Sequence, residues 1–178
     1  MRLITILTLV CLSACASSPT IGAGRSTETV RGITGTPGVS MAPSSSESAA
    51  NVALPLDQIW RVMPAVYQSL GVALTTLDQK THVIGNEGFK IRKQLGGVDL
   101  SKYIECGTTQ IGPNADSYEV HFTLLTQLLA GPGGTTTVTT TLQAASRPLS
   151  FAQDYSRCSS KGVLEPKIVQ MISAKLQK

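Results

Sequence analysis

Tyr118-Glu119-Val120-His121-Phe122-Thr123-Leu124-Leu125-Thr126-Gln127-Leu128-Leu129 is the stretch that decides the fold. Successive side chains of a strand point to opposite faces. Tyr118, Val120, Phe122, Leu124 and Leu128 therefore share one face, and Glu119, His121, Thr123 and Gln127 the other. Gly131-Pro132-Gly133-Gly134 supplies a hairpin turn, and Thr135 to Ala145 is a partner strand rich in β-branched residues. Val138, Leu142 and Ala144 point inward, while Thr137, Thr139 and Thr141 point out. The hairpin has one apolar face to cover and one face for water.

The cover lies on both sides in sequence. Leu56, Ile59, Trp60, Met63, Val66, Tyr67 and Leu70 recur at three- and four-residue spacing, with Asp57, Gln58, Arg61 and Gln68 opposite. This predicts a helix with Pro55 at its first position, Gly71 as its left-handed cap and a kink at Pro64. Asn51 to Leu54 reads as a short strand before it. Val72 to Leu77 and Val83 to Lys93 read as strands around the polar turn Asp78-Gln79-Lys80-Thr81. Leu95-Gly96-Gly97 ends the second. Asp99 to Ile104 reads as a helical turn capped by Asp99, and Gly112 to Asp116 as a loop. A second loop contains Cys158. Val163 to Gln177 is then a closing helix with Leu164, Ile168, Met171, Ile172 and Leu176 as its apolar stripe. The expected fold is α+β: an antiparallel sheet of about four to six strands with two main helices on one face, over residues 49–178.

This order, with Ala53-Leu54-Pro55-Leu56-Asp57-Gln58-Ile59-Trp60, resembles the helix-grip arrangement. That arrangement occurs in the outer-membrane assembly lipoprotein family BamC and, with a longer sheet, in START-type ligand-binding proteins. Cys158-Ser159-Ser160-Lys161-Gly162-Val163-Leu164-Glu165 resembles a signature of bacterial lipoproteins with no known activity, so the resemblance supplies no functional residue.

The amino terminus is more specific. Arg2 precedes an apolar run from Leu3 to Leu12. About ten residues are too few to cross a bilayer core, which needs roughly 20, but they suit a secretory leader. Leu12-Ser13-Ala14-Cys15 resembles the lipobox of bacterial lipoproteins: an aliphatic residue, two small ones, then cysteine. The resemblance implies a signal peptide of residues 1–14, cleavage before Cys15, and acylation of the Cys15 thiol and new amine. Each buried CH₂ contributes about 0.8 kcal/mol, so two or three chains anchor durably. An ordinary secretory leader cut near Ala16 is the alternative. Residue 16 is Ala and not Asp, which in such families resembles sorting to the outer membrane, facing the periplasm. From Ala16 to Ser48, Ser, Thr, Gly and Pro dominate, which reads as a tether spanning about 30 Å. Within it, Thr29 to Ile33 and Gly38 to Met41 flank Gly-Thr-Pro-Gly, the pattern of a short hairpin over residues 28–41.

Four cysteines become two once Cys11 leaves with the leader and Cys15 carries lipid. Cys106 and Cys158 form an even pair, expected to join as a disulfide in an oxidising compartment. Closing a loop of roughly 50 residues stabilises by about 4 kcal/mol in the chain-entropy picture. The rival uses are weaker, because neither cysteine has a partner at zinc spacing and there is no Cys-x-x-Cys.

Chemistry is sparse elsewhere. His82 and His121 are the only histidines, and no Gly-x-Ser-x-Gly elbow is present. The glycine-rich turn lacks the Lys-Ser/Thr of a phosphate loop. A net charge of +4 comes from scattered basic groups, without a run that suits nucleic acid. No enzyme, metal or cofactor is expected. The candidate interaction face is the wet side of the sheet: Lys90, Arg92, Glu119, His121, Thr123, Thr137, Thr139 and Thr141. The expected role is a non-enzymatic envelope lipoprotein, held to the membrane through Cys15 and docking an envelope protein or anionic polymer on that face. The alternative is a carrier holding a small hydrophobic ligand between helix and sheet.

Overall fold

The computed structural model describes residues 46–150 and 153–177. The leader, Cys15, the residue 28–41 hairpin and nearly all of the tether lie outside them. In chain order the elements are β1 (Ser46–Val52), α1 (Leu56–Leu70), β2 (Thr76–Asp78), β3 (Val83–Ile91), β4 (Gln94–Leu95), β5 (Val98–Asp99), β6 (Ile104–Glu105), β7 (Thr108–Thr109), β8 (Gly112–Pro113), α2 (Asn114–Ser117), β9 (Glu119–Ala130), β10 (Thr136–Arg147), β11 (Ser156–Ser160) and α3 (Leu164–Leu176). The fold is α+β, as the alternation predicts. Seven strands form one antiparallel sheet in the order β2-β3-β9-β10-β11-β6, with β1 also on β10.

The β9–β10 hairpin is the spine. It pairs without interruption from Thr136↔Ala130 to Arg147↔Glu119. The other edge of β10 is shared end to end. β1 takes Thr136 to Leu142, and β11 takes Ala144 to Ser146. Both sharing strands depart from expectation. β1 starts at Ser46 rather than Asn51, and Cys158 sits in a strand rather than a loop. Ser-Arg-Cys-Ser-Ser has no apolar alternation, so only pairing with β10 and β6 makes it a strand.

The inner face carries Val120, Phe122, Leu124, Leu128, Val138 and Leu142, all buried under the helices. From α1 come Ile59, Met63, Val66, Tyr67 and Leu70, and from α3 Leu164, Ile168 and Ile172. Three threonines, Thr126, Thr136 and Thr140, are buried there too. Their hydroxyls are satisfied, as burial demands. Thr126 meets the Tyr67 hydroxyl at 3.0 Å and Thr140 at 3.3 Å, and Thr136 donates to the Leu54 carbonyl at 2.7 Å.

Gly71 ends α1 at φ 72°, as a left-handed cap. Pro55 stands one place earlier than predicted, as the residue before the helix, and Pro64 lies on the exposed side of a helix that runs through it. The predicted strand Val72 to Leu77 is replaced by the shorter Thr76–Asp78, since the Val72 N–H closes the end of α1 on the Tyr67 carbonyl at 3.0 Å and its side chain is buried. Asp99 precedes its 3-10 turn but does not cap it; its carboxylate accepts from Gln94 Nε2. The turn's Ser101 N–H goes instead to Asp116 Oδ1 at 2.8 Å. The span read as a loop at Gly112 to Asp116 holds β8 and the start of α2.

The disulfide Cys106–Cys158 is formed, with Cα atoms 4.3 Å apart. It joins the segment after β6 to β11, and so fastens the excursion between β3 and β9 to the sheet.

One irregularity positions the site. Between Asn86↔Leu124 and Phe89↔Phe122, β3 spends three residues where β9 spends two. This is a β-bulge. The Asn86 amide stabilises it, donating to the Ala73 carbonyl at 2.6 Å and accepting from Gly88 N–H at 2.9 Å. Before the bulge Ile84 and Asn86 are buried. After it Phe89 and Ile91 pair with the inward Phe122 and Val120. The extra residue shifts the alternation by one, so Lys90 and Arg92 face outward.

Candidate functional site

The eight residues read from the sequence do share the outer face, but the structure divides them into two groups. At one end Lys90, Arg92 and Glu119 converge. Lys90 pairs across strands with His121, and Glu119 with Arg147. Glu119 is the hub. Tyr155 donates its hydroxyl to Glu119 Oε1 at 2.7 Å. Arg147 donates Nε to the same oxygen at 3.1 Å, and its Nη2 lies at 2.8 Å. Lys90 Nζ stands at 3.5 Å and Arg92 Nη2 at 3.6 Å. The Arg147 guanidinium also lies 4.7 Å from the centre of the Tyr155 ring, and His121 meets that ring edge-on.

Three cations around one carboxylate leave a surplus of two positive charges. The Tyr155 hydrogen bond, then the Arg147 bond and the charges of Lys90 and Arg147, hold the Glu119 carboxyl down at about 2. The same Tyr155–Glu119 bond pushes the Tyr155 phenol up. Glu119 thus stays ionised and fixes Arg147. Lys90 and Arg92 remain 58% and 62% exposed, with most of their donors toward solvent.

Beside the hub opens a recess of about 500 Å³, lined by Arg92, Glu119, Arg147, Pro148, Leu149, Ser150 and Gln153. Arg147 and Tyr155 were not read from the sequence. Arg147 continues the outward alternation of Thr137, Thr139 and Thr141, so extending that strand by one pair would have found it. Tyr155 arrives from the loop between β10 and β11 and left no local signal.

The threonines occupy the other end. Thr137 donates to Asn51 Oδ1 at 2.8 Å, across to β1. Thr139 and Thr141 stand between Gln127 and Leu125 on β9 and Ala49 and Glu47 on β1. Thr123 donates to the Glu87 carbonyl at 2.7 Å, at the bulge. The Thr137 and Thr123 hydroxyls tie strands together, and the charges nearby, Glu47 opposite Thr141 and Glu87 at the bulge, are acidic. Among the described residues no group of three His, Cys, Asp or Glu is placed to hold a metal ion. No described helix is long and apolar enough to cross a membrane.

The fold and site together define a class by its physics: an antiparallel sheet covered on one side by two long helices, with a basic recess at one end of its other face. No protein family, curated protein or solved structure matches the chain.

Proposed function

We propose that the chain is a non-enzymatic lipoprotein of the bacterial cell envelope, anchored through Cys15, that docks an envelope partner on the outer face of its sheet. The observation that carries the docking role is the exposed surplus of positive charge around Glu119. Opposed charge steers encounter and sets orientation at such surfaces. The anchor rests on Leu12-Ser13-Ala14-Cys15, and the outer membrane on Ala16. In layout, two long helices on one antiparallel sheet resemble the helix-grip domains of BamC-type envelope lipoproteins. The space between α1 and the sheet is occupied by Ile59, Met63, Val66 and Tyr67 against Phe122, Leu124 and Leu128, which favours docking over carriage of an apolar ligand.

Two measurements test the two halves. Cys15→Ser should abolish acyl labelling and release the chain from the membrane fraction; unchanged acylation and fractionation would remove the anchor. Crosslinking in intact envelopes should give a reproducible adduct that Lys90→Gln with Arg92→Gln suppresses. An adduct indifferent to both substitutions would remove the docking face.

A further inference from the structure

The recess at the charged end has the make-up of a ligand site, and we infer that it binds a phosphate-type oxyanion between Arg92 and Arg147. This inference rests on the reading of the outer face as a binding surface and names the chemistry that the surface recognises.

Four observations lead to it. First, the two guanidiniums line one recess of about 500 Å³, a size that accommodates a small ligand or one headgroup. Second, Arg147 is held rigid: its Nε and Nη2 are committed to Glu119, and its plane lies against Tyr155. Its remaining Nη1 carries no partner among the described residues. Third, Arg92 is spare. Its nearest described partner, Glu119 Oε2, is 3.6 Å away, longer than a hydrogen bond, and the side chain is 62% exposed. Fourth, Glu119 does not cancel the site, since Lys90, Arg92 and Arg147 outnumber it.

A planar donor fork suits a multi-oxygen anion. Phosphate presents enough oxygens to meet Arg92 and the free edge of Arg147 together, and a charge near −2 matches the surplus. Ser150 and Gln153 add polar groups on the wall. Pro148 and Leu149, the latter 52% exposed, offer an apolar shelf for whatever the phosphate is attached to. The source is either a free phosphate or the headgroup of an anionic phospholipid.

Calorimetry on the full chain separates these. The probes are inorganic phosphate, glycerol 3-phosphate, and short-chain dihexanoyl phosphatidylglycerol below its micellar concentration. Binding of inorganic phosphate and glycerol 3-phosphate marks a soluble oxyanion as the source. Binding of the phosphatidylglycerol alone marks the headgroup. In either case Arg92→Gln should weaken binding about fivefold to tenfold, added salt should weaken it further, and Lys80→Gln, in the distant turn before β3, should leave it unchanged. No binding of any probe overturns the inference, and so does binding that Arg92→Gln leaves intact. Arg92 is a surface residue outside the core, so its replacement tests affinity rather than folding. A chain that binds phosphate but gives no envelope adduct would keep this site and lose the docking partner; the reverse would keep the partner and lose the site.

Discussion

The two faces of the β9–β10 hairpin are built from one alternating sequence, yet they obey different rules. On the inner face a polar atom survives only with a partner, as in the chain Tyr67–Thr126–Thr140. Desolvation there makes each unmade bond costly. On the outer face Glu119 and Arg147 of the hairpin meet Lys90 of the neighbouring β3 and Arg92 just beyond it, and these last two hold charges in water, at ion-pair distances that contribute little to stability. The inner face is therefore where the fold is specified, and the outer face is free to carry a charge pattern that serves recognition.

The sharpest way to break this contrast is Phe122→Ala against Thr123→Ala. Phe122 is fully buried and should cost about 3–5 kcal/mol in urea unfolding. Thr123, its neighbour on the outer face, should cost under about 1 kcal/mol. Similar losses at both would mean that the outer face is also a packed interface. Next in size is the disulfide. Replacing Cys106 and Cys158 together by serine should lower the unfolding free energy by about 2–4 kcal/mol, and reduction of the unmutated protein should match it. A double variant as stable as the parent would show that the excursion between β3 and β9 needs no staple.

The smallest effect concerns pH. The Glu119 carboxyl is lowered to about 2, so its ionised form is the one the fold favours. Its contribution is whole above the ordinary carboxylate value, about 4.5, and vanishes as pH falls through about 2. The small stability gap between the parent and Glu119→Gln should therefore close on acidification through that window. A gap that persists at lower pH would assign the effect to packing of the side chain instead of its charge.

Much of the fold was legible because its inner face follows period two and its helices period 3.6. Val120, Phe122, Leu124 and Leu128 and the stripe from Leu56 to Leu70 all landed inside or against the core. What escaped was structure made by distant pairing. β11 has no pattern of its own, and the Asp99 turn takes its bond from Asp116, fifteen residues on. The site shows the same division. Lys90, Arg92 and Glu119 were readable from one strand each, whereas Arg147 lay just past the end drawn for its strand. Tyr155 became a neighbour of Glu119 only through tertiary folding.

The bulge at Asn86 to Phe89 makes the charged end depend on counting rather than on composition. If β3 paired straight through, without setting its extra residue aside, everything downstream in that strand would change sides. Lys90 and Arg92 would be driven beneath the helices, while Phe89 and Ile91 would be turned toward water. Loss of one codon at Gly88 would remove the extra residue itself, and plain alternation would then keep Phe89 and Ile91 inward and Lys90 and Arg92 outward.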